Sequence, residues 1–89
     1  MPRVSAFYGI VITMFFDEDR HPGRPHFHAK YAGAKATYDI RTLAPIAGRL
    51  HPRAGRLVVE WGRAHQFELR RNWGLMRSRE QPRSIDPLR

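Results

Sequence analysis

With 89 residues, 42% hydrophobic side chains and no cysteine, the chain can build one small core, but neither a disulfide framework nor a thiolate zinc site can hold it together. Sixteen Lys and Arg oppose eight Asp and Glu, a formal charge of +8, and all but two of the cations are arginine. A field of that sign draws nucleic acid or an acidic protein partner, although a solvated arginine surface has the same composition.

The apolar run from Ala6 to Phe16 is too short for a membrane span and no small-residue cleavage site follows it, so a cytoplasmic protein without a membrane partner is expected. Within it, residues 8–16 are branched and aromatic, with turn formers directly after, and read as one strand. Residues 17–25, with Gly23 and two prolines, read as a loop.

The stretch HPGRPHFHAKY, residues 21–31, carries His21, His26 and His28. A strand over 26–32 alternates its side chains, placing His26, His28 and Lys30 on one face and Phe27, Ala29 and Tyr31 on the other. Imidazoles are a costly choice for packing unless partnered, so the histidine face reads as a working surface. The chain bends at 32–34 and returns as a strand over 35–41, whose polar positions bring Thr37 or Asp39 beside the histidines. A short fourth strand is expected over 45–50, weakened by Gly48.

Pro52 suits a first helical position, and the pattern is helical over 52–79: Ala54, Leu57, Val58, Trp61, Leu69, Trp73 and Met76 recur at helical spacing. His65, Glu68 and Asn72 interrupt that stripe with polar groups at steps of four, three and four after Trp61. Gly62 and Gly74 weaken the helix, so one kinked helix or two consecutive ones both satisfy the pattern. Residues 80–89 form an extended tail, with Ile85 and Leu88 available to dock on the body.

The expectation is a single α+β domain over 1–89: a small antiparallel sheet of three or four strands followed by a C-terminal helix, kinked or double, packed on one face. His26 and His28 from the sheet then meet His65, Glu68 and Asn72 from the helix. Three readings stay open. His26, His28, His65 and Glu68 could do metal-free acid–base work with nearby arginines holding a phosphodiester. His26, His28 and Glu68 could bind a divalent metal, with Asp39 an alternative ligand and no other cofactor expected. The polar groups could also be a satisfied structural network. The binding set expected around them is Arg24, Lys30, Asp39, Asn72, Arg53 and Arg56, within an arginine face that continues through Arg63, Arg70, Arg71 and Arg77.

The order Phe7 to Phe16, then Pro25-His26-Phe27-His28-Ala29, then Asp39-Ile40, then Glu60-Trp61 through His65, Glu68-Leu69 and Asn72-Trp73 resembles the bacterial domain of unknown function numbered 4160. The resemblance implies a small prokaryotic protein often encoded beside a second small protein, an arrangement similar to toxin–antitoxin pairs. It names no activity. The chain departs from the usual pattern at Arg24, where a second proline often stands, and at Gly55, Gly62 and Gly74, which thin the helix. The functional expectation is a basic component of a two-gene, toxin–antitoxin-like module that binds or cleaves nucleic acid, RNA rather than DNA. The rival is a non-catalytic module that docks an acidic partner, and enzymatic activity is left open.

Overall fold

The computed structural model describes residues 3–15 and 24–89. The order is β1 (Arg3–Phe7), β2 (Ile10–Thr13), β3 (His26–Tyr31), β4 (Ala34–Asp39), β5 (Pro45–Gly48), α1 (Pro52–Ala64) and α2 (Gln66–Arg77). The strands form one antiparallel sheet in sequence order, five strands where three or four were expected, with the helices after it. The α+β expectation holds.

The added strand comes from the first apolar run. Residues 8–16 do not form one strand: Tyr8 and Gly9 both take positive φ, 50° and 80°, and turn β1 into β2. Two consecutive positive φ values match the twist of a hairpin, and glycine takes its share without steric penalty. Tyr8 tolerates the left-handed region at a cost, which is why Tyr-Gly gives no ordinary turn signal. Phe16 and His21, with most of the expected 17–25 loop, lie outside the described residues. A second two-residue turn at Ala32 and Gly33 joins β3 to β4, which ends at Asp39 rather than 41. Strand β5 stops at Gly48, short of the expected Leu50.

Register divides the sheet into two faces. Ile12 pairs with Ala29 and Ala29 with Ala36, while Phe27 pairs with Tyr38, and this set is buried. The other face carries Thr13, His28 and Thr37 in one row and His26 beside Asp39. Helix α1 lays Ala54, Val58 and Trp61 on the apolar face, with the Trp61 ring 5.5 Å from Phe7 and 5.8 Å from Phe27. Gly62 permits the close fit: a Cβ there would stand 2.8 Å from Leu43 Cδ2. Pro52 does open α1, and the His51 side chain caps it by accepting from the Arg53 N–H at 3.2 Å.

The helical segment is two helices that break at His65, not at a glycine. Gln66, the first residue of α2, donates to the carbonyls of Ile40 at 3.0 Å and Arg41 at 3.1 Å, tying the elbow to the turn after β4. The tail is held at three points. Ile85 N–H donates to Val4 O at 2.7 Å, Trp61 Nε1 to Asp86 O at 2.8 Å, and the Asn72 amide exchanges two hydrogen bonds with the Arg83 backbone, both 2.8 Å. Ile85 is buried and Leu88 packs on the core edge. No helix among the described residues is long and apolar enough to cross a membrane.

Candidate functional site

The histidines of β3 share a face, as alternation requires, but they are built into the sheet. His26 is 1% exposed; its Nδ1 donates to Arg24 O at 2.7 Å, because a carbonyl can only accept, and its ring lies 5.0 Å from Trp73 of α2. His28 stacks on Phe15 at 4.2 Å, shares a 3.2 Å hydrogen bond with Thr37 Oγ1 and meets the His26 ring edge-on at 5.1 Å.

Asp39 sits beside His26 in the register and is 2% exposed. Its Oδ2 accepts from Arg24 Nε at 2.8 Å, and its Oδ1 accepts from the N–H groups of Arg41 and Thr42 at 2.6 and 3.0 Å. Burial pushes this carboxyl up. The hydrogen bonds from Arg24, Thr42 and Arg41, with the Arg24 charge, outweigh burial and leave the group below its ordinary 3.8. Asp39 thus caps the turn after β4 and anchors Arg24.

His65 and Glu68 form a second pair at the helix elbow. Their side chains are partly exposed, His65 Nδ1 lies 2.6 Å from Glu68 Oε2, and the imidazole rests 5.6 Å from Trp61. The hydrogen bond from His65 is the largest cause holding Glu68 below its ordinary 4.5, with the charges of His65 and Arg71 adding to it. An ionised carboxylate only accepts, so the proton lies on Nδ1 and a neutral His65 keeps Nε2 as an acceptor.

The four residues expected to share one centre therefore stand in two pairs, one built into the polar side of the sheet and one at the elbow beside Trp61. Among the described residues no three of His, Asp and Glu come together in a group that could hold a metal ion, so His26, His28 and Glu68 are not gathered for that purpose. Asn72, fully buried, clasps the tail. Lys30 is exposed opposite Lys35, while Arg53 and Arg56 project from the first turns of α1.

A model of the family described as domain of unknown function DUF4160 matches residues 9–74. The chain belongs to that family. The DUF4160 match opens in the Tyr8–Gly9 turn and closes within α2, so it takes in both histidine pairs and leaves β1 and the tail outside. No curated relative and no solved structure matches the chain.

One residue absent from the expected site stands out within the DUF4160 segment. Phe67, the second residue of α2, is 77% exposed, with Arg63 four positions before it and Arg70 and Arg71 three and four after. The signal was legible: Phe67 falls off the buried stripe of Leu69, Trp73 and Met76, as does the half-buried Leu75.

Proposed function

We propose that this chain is a binding module for single-stranded RNA that receives it at the elbow between α1 and α2. The observation that carries the reading is Phe67, an aromatic ring held in solvent among arginines. Covering an exposed ring is favourable because it removes apolar surface from water, and an unpaired base stacks on such a ring whatever its identity. Arg63 and Arg70 are exposed beside it to hold phosphates, and the Gln66 bonds to the β4 turn keep the platform in place. His65, oriented by Glu68, offers a further polar contact at the elbow. The reading is binding rather than cleavage, because His26 and His28, the imidazoles expected to work with His65 and Glu68, are engaged instead with Arg24 O and Thr37 Oγ1. In a two-gene, toxin–antitoxin-like module such a component would act by holding RNA.

The test is fluorescence anisotropy with labelled oligouridine. Phe67→Ala is expected to weaken binding about tenfold, the range for one lost base–aromatic stack. Arg70→Ala is expected to lower the slope of log affinity against log salt by about 0.7, one phosphate on a single strand. The oligonucleotide should stay full-length throughout. Equal affinity of Phe67→Ala and the parent protein would remove the elbow from the mechanism.

A further inference from the structure

A second surface runs along α1, and Phe67 is not among the residues that line it. Between β5, the segment that follows it and α1 runs an open groove of about 940 Å³. Its lining is mostly apolar, with Tyr38, Pro45, Leu50 and Val59 among the contributors, and the cations along it are Arg49, Arg56 and Arg63 against the single carboxylate Glu60. Arg56 and Arg63 are seven positions apart on α1 and so share one helix face. The groove borders the last strand of the sheet, and among the described residues no strand pairs with the outer edge of β5. Gly55 keeps the groove open: a Cβ there would make only ordinary contact, 3.5 Å from the Tyr38 hydroxyl, and a longer side chain would extend into the space.

We infer that this groove is the docking site for an extended acidic segment of a partner protein, with apolar side chains between its carboxylates. The charges are complementary to such a segment and opposite to a basic one. The apolar lining gives alternate side chains of the segment a place to bury, and the free edge of β5 is where an added strand finds backbone partners. RNA fits this surface less well than the elbow: its only aromatic side chain, Tyr38, is buried and presents no open ring for a base. The inference does not depend on the RNA reading: Arg63 borders both surfaces, but the groove is tested through Arg49, Arg56 and Gly55, none of which the elbow uses.

The probe is a short synthetic peptide alternating glutamate and leucine, labelled and followed by anisotropy with the full chain. A leucine-free polyglutamate and a lysine–leucine peptide serve as comparisons. Arg49→Glu with Arg56→Glu is expected to weaken the glutamate–leucine peptide at least about tenfold through charge. Gly55→Leu is expected to do the same with no change of charge, while Gly74→Leu, a helical position with open space around it, leaves binding intact. Circular dichroism checks that each variant folds, and the exposed Arg56→Glu alone provides a fallback should Gly55→Leu fail to fold. Oligouridine affinity measured on Gly55→Leu separates the two sites, and it should be unchanged. The inference is overturned if folded Gly55→Leu binds the peptide like the parent chain, or if polyglutamate binds as tightly as the leucine-containing peptide. It is overturned equally if Gly55→Leu loses oligouridine instead, or if the groove proves to seat a second copy of the chain.

Discussion

Arg24 Nε donates to Asp39 Oδ2 at 2.8 Å across the gap between the segment that enters β3 and the end of β4, and the two ends of this bond are unequal: the Arg24 side chain is 51% exposed and that of Asp39 only 2%. The carboxylate is therefore structural on its own account, and the arginine is one of its three donors. Removing the acceptor leaves the Arg41 and Thr42 N–H groups unpaired at the turn. Asp39→Ala should destabilise the fold by about 2–4 kcal/mol, and Arg24→Ala by about 1 kcal/mol or less because that end is solvated. Urea denaturation of the two variants checks the order, and a larger loss for Arg24→Ala would contradict it.

Acid sensitivity follows from the same carboxylate and from Glu68. Both are held below their ordinary values, 3.8 and 4.5, so each binds its proton less readily folded than unfolded. Their contribution is fully present above those ordinary values and is lost as the pH falls through the lower folded ones. Melting temperature should hold steady near neutrality and drop below about pH 4.5, with a shallower drop in Asp39→Asn. An unchanged acid limb in that variant would show that other groups govern it.

Two glycines should respond in opposite directions to the same substitution. Gly48 has φ +72°, and a Cβ there would stand 2.2 Å from the Lys35 carbonyl oxygen, a backbone atom that cannot yield without parting β4 from β5. Gly48→Ala should cost about 2–4 kcal/mol. Gly74 lies within α2 with nothing inside 4 Å, so Gly74→Ala should stabilise by roughly 0.5–1 kcal/mol through helix propensity. Thermal unfolding of both measures the contrast.

The tail should behave as part of the fold. Asn72→Ala removes both hydrogen bonds to the Arg83 backbone and should cost about 2–3 kcal/mol. Hydrogen exchange gives a local readout. The Ile85 amide, bonded to Val4 O, should lose protection in this variant more than the amides of the β3–β4 ladder do. Equal loss everywhere would mean that Asn72 supports the whole core rather than the tail.

The β3–β4 hairpin was readable because alternation is a property of neighbours: once His26 and His28 are assigned to one face, Thr37 and Asp39 follow onto it from the return strand, and the register places them there. Pro52 at the start of α1 was readable for the same local reason, since its fixed φ suits a first turn and its missing N–H costs nothing there. The Tyr8–Gly9 turn was hidden because every side chain around it favours a strand and tyrosine rarely takes positive φ. Two consecutive helices were within the expectation, but the place of the break was hidden, as it falls at His65 while the residues that usually weaken helices lie at 62 and 74.

By itself the sequence determined the α+β class, the strongly basic charge, the two-faced hairpin and the polar interruption of the helical stripe, all consequences of residue type and spacing within a few positions. Tertiary structure alone decided what those polar groups are for. Asn72 meets Arg83, Asp39 meets Arg24, and His65 keeps to Glu68. The physical reason is that a buried polar group must find a partner, and where partners lie far along the chain the path of the tail, the elbow and the turns selects which one it meets.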